Sequence, residues 1–297
     1  MNRSLISTAV LAALLVLSAC DTYEQDDYAD EIVVEAYLAA GEPLPEVKVS
    51  RTAPIDRFYR FEDFAVDDAS VVVSLLDEAG GVEARYPYVR AAEGRYRPAG
   101  QAVAVQPLRR YALEVDVPGE AGTVRASTLV PGGFRVLDFT ADTVRYQGTE
   151  QFQARVTRSD YPGRQSYYIF TLVALDTSFG LTPFYADFVG DDDDDAQPED
   201  FMRNASGLSN EANFDPNPDG TLTMRLPWVA IAFYGPNEIV ANALDDNLYD
   251  FLRSRLQGGT RSPGEMDNLL DHVDGGRGIF GSMARDSFTV FIQRTPD

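Results

Sequence analysis

The sequence predicts a mostly β protein: two consecutive antiparallel β-sandwich-like domains, the first immunoglobulin-like, the second with a long irregular insertion and a short helix. Three observations lead there. Short runs of β-branched and aromatic residues recur along most of the chain, Gly, Pro and Asp clusters separate them at turn spacing, and helical periodicity is confined to one late stretch.

The first thirty residues stand apart from that pattern. Arg3 is followed by an apolar run, Leu5 to Leu17, of the length of a signal-peptide core and too short for the roughly 20 residues a membrane helix needs. The run ends in "LSAC", Leu17 to Cys20, which resembles a bacterial lipobox: a branched apolar residue, two small residues, and the cysteine that is acylated after cleavage. Cys20 is the only cysteine, so no disulfide accounts for it. The other reading is ordinary secretory cleavage near Ala19, leaving a free thiol. The lipobox reading makes residues 1–19 a lipoprotein signal peptide and residues 20–30, "CDTYEQDDYAD", an acidic tether. Acyl chains contribute about 0.8 kcal/mol per buried methylene, so the body would be held on a lipid bilayer through Cys20 without crossing it.

Residues 31–131 supply the first sandwich through "EIVVEAYL", "EVKVSRT", "ASVVVSLLD", "EARYPYV", "GRYRPA", "RYALEVDV" and "TVRASTLV", with "DEAGG" and "DVPGEAG" as turns. "LVPGG", Leu129 to Gly133, is the boundary. Residues 132–297 resume with "FRVLDFTA", "QFQARVT" and "QSYYIFTLVAL". Alternation then stops from Thr177 to Gly220, far longer than an ordinary connection. A strand pair in "TLTMRLPWVAIAFYG", a helix in "DDNLYDFLRSRLQ" with Leu248, Phe251, Leu252 and Arg255 at helical spacing, and a closing strand "SFTVFIQ" follow.

Charge removes one class of function. Twenty-five Lys and Arg face 47 Asp and Glu, for a net charge of −22, and Lys48 is the only lysine. Nucleic acid binding needs clustered cations, so no nucleic acid partner is expected. An acidic, nearly lysine-free surface reads first as adaptation to salt.

Chemical motifs are weak. "GRGIFG", Gly276 to Gly281, fits a dinucleotide fingerprint by letter, but the residues after it read as a strand, so a tight turn with Ile279 and Phe280 inward is expected. "DPNPDG" offers Asp215, Asn217 and Asp219 as alternate oxygen ligands for calcium, but Leu226 stands where a bidentate Glu belongs and Pro218 restricts Asn217, so a proline-glycine turn leading into "TLTMRL" is the simpler reading. Asp191, Asp192 and Asp193, within "DDDDD", are a second cation candidate or a solvated loop. His272, the only histidine, lies near Asp267, Asp271 and Asp274, either as a metal ligand or in a polar turn. No catalytic residue is assigned. A carboxylate-based hydrolase is the minority reading, since acid spacing in space decides that chemistry. Within the insertion, Phe179, Phe184, Tyr185 and Phe188 are the expected contact to a partner or cargo, or else staples holding the loop to its own sandwich.

The lipobox, "VVEAYLAAGEPLPEVKVSRTAP" after an acidic tether, "GRYRP", "YALEV", "ASTLVPGG" and "GGRGIFGS" together resemble the Bacteroidota lipoproteins of domain of unknown function 4249. Members are often encoded beside TonB-dependent outer-membrane receptors. The resemblance therefore implies a non-enzymatic accessory of such a receptor in nutrient uptake, lipid-anchored at the outer membrane on its periplasmic or cell-surface face. The alternative is a structural or adhesive cell-surface module. Acylation of Cys20 is tested by replacing Cys20→Ser and fractionating cells: the variant is expected to leave the membrane fraction, and undiminished membrane partition would contradict the anchor.

Overall fold

The computed structural model describes residues 29–54, 57–148, 152–189, 196–256 and 269–295. Cys20, the Asp191–Asp195 run and Asp267 lie outside the described residues. The chain folds into mostly β structure of sandwich-like sheets, as the turn-separated alternation predicts.

The first lobe holds β1 (Ile32–Ala39), β2 (Val47–Arg51), β3 (Ser70–Leu76), β4 (Val82–Ala92), β5 (Arg95–Pro98), β6 (Arg110–Asp116) and β7 (Val124–Leu129). Alternation does its work plainly in β6, where Tyr111, Leu113 and Val115 are buried while the residues between them are not. β4 passes from one sheet to the other, pairing with β3 through Pro87 and with β5 from Tyr88 onward. Side chains from β1, β2, β3, β5, β6 and β7 fill one core between the two sheets.

The second lobe holds β8 (Val136–Phe139), β9 (Thr143–Arg145), β10 (Gln153–Val156) and β11 (Tyr167–Ala174). Three short strands follow inside the insertion: β12 (Arg203–Ala205), β13 (Ser209–Asn210) and β14 (Asp215–Pro216). Then come β15 (Leu222–Arg225), β16 (Gly235–Leu244), the helix Asp246–Leu256, β17 (Val273–Asp274) and β18 (Arg277–Gln293). A sheet in the order β12-β11-β16-β18 packs over a smaller one, β14-β15-β10-β8, around a second core.

The two lobes are not simply consecutive. The cores divide between Val130 and Phe134, close to "LVPGG", but the sheet does not. β18 pairs in parallel with β1 over Val33↔Arg277 to Ala39↔Met283, and antiparallel with β16 over Met283↔Leu244 to Ile292↔Gly235. β17, just before it, pairs with β7 at the other edge of the first lobe. Residues 273–283 therefore close the first sandwich, and Val273 and Phe280 belong to its core. The strand pairing thus crosses the 131/132 boundary: an open sheet edge beside β1 needed a partner, and β18 provides it.

Two further expectations change. "GRGIFG" is not only a turn. Its last five residues begin β18, with Ile279 and Phe280 buried on opposite faces because packed layers cover both sides of the strand. Gly278 has φ +115°, and a Cβ there would lie 2.0 Å from the carbonyl oxygen of Val34, so only glycine lets β1 and β18 approach. In "TLTMRLPWVAIAFYG" the second strand is absent: Trp228–Ala230 form a 3-10 turn, and the strand comes later as β16.

A buried polar junction ties the lobes where the helix begins. Asp245 is 1% exposed and caps the helix, its Oδ1 accepting from the Leu248 amide at 2.9 Å. Its Oδ2 accepts from the hydroxyl of Thr128 on β7, which lies 2.6 Å from Ser282 Oγ on β18. Asn247 Nδ2 donates to the carbonyls of Ser127 and Phe280, both at 2.7 Å. Leu248, Phe251 and Leu252, three of the residues at helical spacing, then lay the helix on Ile279, Met283 and Ile169.

Burial pushes the Asp245 carboxyl up from 3.8 to about 6, against the lowering pull of Thr128 and the amides of Leu248 and Ser282. Because the folded value exceeds the unfolded one, this group's stabilising share is complete below pH 4 and is lost as pH rises through about 6. Asp245→Asn keeps shape and cap without the charge. Urea unfolding is expected to show wild type losing about 3 kcal/mol relative to the variant between pH 4 and pH 7. A difference that stays constant with pH would contradict the burial of this carboxyl.

Candidate functional site

The described parts of the insertion, 177–189 and 196–220, are built rather than loose. Asp176 Oδ1 accepts from the Ser178 amide at 2.9 Å and starts a 3-10 turn, Thr177–Phe179. Thr182, fully buried, donates its hydroxyl to the carbonyl of Ile231 at 2.8 Å, and Pro183 opens a short helix to Val189. β12 and β13 then pair with β11, so the returning chain extends the main sheet.

The four aromatics of this segment divide into two kinds. Tyr185 is buried among Ala174, Ala232 and Phe233, its hydroxyl donates to the Val229 carbonyl at 2.9 Å, and the Asn204 amide nitrogen donates to it. It is a staple and is withdrawn from the contact surface, because a helix this short stays in place only through side chains that reach the core. Phe179 is held as well: its ring meets Phe291 edge-on at 5.2 Å, it sits over Gly235, and Arg294 binds its carbonyl at 2.8 Å. Phe184 and Phe188 are each 43% exposed and face one another edge-on at 5.2 Å. Phe201 backs Tyr185 and Phe188 from below. Asp187, next in sequence to Phe188, and Glu199 and Asp200, just before Phe201, are exposed acids.

The calcium candidates at "DPNPDG" form the β14–β15 hairpin turn. Asn217 and Thr221 close it, from amide to carbonyl at 2.9 Å, and Gly220 takes φ +83°. Asp219 Oδ1 accepts from the Thr221 amide and hydroxyl, which hold its carboxyl below the usual range, and Oδ2 pairs with Arg155 at 3.0 Å. Asp215 pairs with Arg225, and the Asn217 amide reaches the hydroxyls of Thr221 and Thr223. These oxygens are engaged by protein donors and do not converge on one point. Among the described residues no three His, Cys, Asp or Glu side chains gather closely enough to hold a metal ion. His272, at φ +52°, places Nε2 2.9 Å from Asp250 Oδ2 on the helix.

One site escaped the sequence. A cleft of about 540 Å³ opens between the loop from β10 to β11 and the far end of the insertion, with Leu108 of the first lobe at its rim. Phe214 and Leu222 line it, and Glu211 and Arg158 form an ion pair at 2.8 Å beside them. Glu211 also accepts from the Ser166 amide at 3.2 Å. The Arg164 guanidinium lies 3.9 Å above the Tyr161 ring and donates to Asp246 at 2.6 Å. Burial raises the Tyr161 hydroxyl above its ordinary value. Arginine and carboxylate are spent on each other here, which suits holding an apolar or ring-bearing group more than transferring a proton. The only hint in the sequence was "YPGR", Tyr161 to Arg164, a tight turn with a ring and a cation three residues apart.

A search of curated proteins finds no match. Among solved structures the chain is similar to trypsin-activated alpha-2-macroglobulin from Escherichia coli, at 8% identity over 89% of this chain and 16% of that one, TM-score 0.23. It is also similar to the three N-terminal domains of the bacteriophage RB49 Highly Immunogenic Outer Capsid protein, at 12% identity over 90% of this chain and 71% of that one, TM-score 0.23. A third is a tetra-tandem repeat in the extending region of a large adhesion protein, at 12% identity over 89% and 50%, TM-score 0.24. The chain thus spans about a sixth of the macroglobulin, and superpositions this loose carry no argument about function. The family model for domain of unknown function (DUF4249) matches residues 21–289, nearly all of the chain after Cys20, and the protein belongs to that family.

Proposed function

We propose that the protein is a non-enzymatic lipoprotein, anchored at the outer membrane through Cys20, that assists a TonB-dependent receptor in nutrient uptake, and that its insertion makes the contact. The observation that carries this reading is the pair Phe184 and Phe188, half-exposed on a helix that Tyr185 and Thr182 lock to the core. A rigid platform presenting two rings loses little side-chain freedom on binding. The exposed acids Asp187, Glu199 and Asp200, with Asp191 to Asp195 between them in sequence, suit a basic partner surface. A hydrolytic reading is not supported by Asp245, the one described carboxyl pushed up in pKa, because it is sealed in the core as a helix cap.

Burying each ring contributes on the order of 1–3 kcal/mol. The double variant Phe184→Ser, Phe188→Ser is expected to fold as wild type, to co-purify with the receptor at least about tenfold more weakly, and to slow growth on the receptor's substrate. Unchanged co-purification and growth would leave the structural or adhesive module as the better description.

A further inference from the structure

The most exposed large apolar side chain among the described residues is far from the insertion. Phe58 is 85% exposed, and its neighbours Arg57, Tyr59 and Arg60 are exposed as well. This is not a slack loop. Tyr59 stacks on Phe64 at 5.5 Å with rings 9° apart, and its hydroxyl lies 3.2 Å from Ser50 Oγ. The Arg57 guanidinium sits 5.1 Å from the centre of the same Phe64 ring, and the Arg57 amide donates to the Pro54 carbonyl at 3.1 Å. Anchored on both sides, the segment holds the Phe58 ring out in solvent.

Its place in the fold says what the ring meets. The segment leaves β2 at Arg51, and Arg51 pairs with Asp30 at 2.8 Å. Thr52 exchanges hydrogen bonds with Glu31, amide to carbonyl and amide to hydroxyl, each at 3.0 Å. The base of the loop is therefore the point where the chain from Cys20 enters the fold. The nine residues from Cys20 to Tyr28 reach at most about 30 Å when fully extended. A bilayer holding an acyl group on Cys20 thus lies within reach of this end of the molecule. The second lobe lies beyond the other end of β1, where Ala40 packs against both cores.

We infer that the Arg57–Arg60 segment is a second membrane contact, with Phe58 entering the interface of a phospholipid bilayer and Arg57 and Arg60 at the phosphate level. A ring flanked by two long cationic side chains matches an interface that is apolar on one side and wet on the other. Glu62 and Asp63 follow at once, so the ring and not net positive charge provides the affinity, and neutral phospholipid suffices. The inference rests on the anchor reading of Cys20, since one ring alone holds a protein to lipid only weakly. With the tether it fixes orientation, standing the body on its first lobe with the insertion turned away from the membrane.

The lone cysteine gives a test that does not depend on acylation in the cell. The chain from Cys20 onward keeps every described residue and couples through its thiol to vesicles of neutral phosphatidylcholine carrying a maleimide headgroup lipid. In a Trp228→Phe background, which removes the only native indole, Phe58→Trp places an indole in the loop and Phe184→Trp places one on the insertion. Coupling is expected to blue-shift the Phe58→Trp emission, and about half of it is lost when the acyl chains carry bromine at the roughly 5–10 Å depth of interfacial side chains. The Phe184→Trp emission is expected not to move. An unshifted and unquenched Phe58→Trp on coupled vesicles overturns the inference whether or not Cys20 is acylated in cells. If Phe58→Ser also weakens receptor co-purification in that case, the loop is a protein contact instead.

Discussion

The parallel pairing of β1 with the first half of β18 is the constraint on which the molecule depends. A parallel neighbour cannot be supplied by a hairpin, so the chain has to travel from Ala39 through both lobes before Arg277 returns beside Val33. When it does, three things happen at once. The edge of the first sandwich is covered, β17 latches the opposite edge at β7, and β18 runs on into the second lobe beside β16. At about 3.3 Å per residue, its 17 residues make a spine of roughly 55 Å shared by both cores. Gly278 permits the approach, and the junction of Thr128, Asp245, Asn247 and Ser282 satisfies the polar groups that the approach buries. The cost of this arrangement is a carboxyl sealed in the interior, offset by three donors that converge on it: the Thr128 hydroxyl and the amides of Leu248 and Ser282.

What the sequence showed and what it hid follow from how local each signal is. The strands of the first lobe were legible because one face of each is buried and the other wet, as in β6. β16, the central strand of the second lobe, was missed. It reads "GPNEIVANAL", and Pro, Asn and Glu speak against a strand. In the fold Asn237 donates to the carbonyls of Phe233 and Gly235, and Asn242 to those of Ile169 and Val240, so residues that look like turn formers tie a strand to its neighbours. The partner of β1 lies more than 240 residues away, and periodicity within a window carries no information on it. In the insertion, composition marked an aromatic cluster but could not separate ring from ring. Tyr185 has a hydroxyl to satisfy and finds its partners inside, while Phe184 and Phe188 stay at the surface. The acids of "DPNPDG" drew attention as ligands, whereas the turn uses them to bind its own hydroxyls and arginines.

These elements give the functional proposal its geometry. A tether that ends at Asp30 and a ring held out at Phe58 share one end of the spine, while the insertion hangs on β11 and β16 in the lobe at the other. In the proposed arrangement, the length of β18 separates the partner contact from the membrane-facing end. The cleft below Leu108 lies on the seam between the lobes, where a small shift of one relative to the other changes its width. Close to this seam the buried Asp245 carboxyl on the second lobe is bonded to Thr128 of the first.

β18 makes one cooperative body of two cores. Native-state hydrogen exchange across a urea series reads it directly. Amides in the first core, such as Leu113 and Val73, those at the shared ladder, such as Ala36 and Phe280, and those in the second core, such as Ile239 and Val290, are expected to merge onto one opening isotherm with a single free energy and denaturant slope. Two separate isotherms, with the first lobe opening while Ile239 and Val290 stay protected, would contradict it.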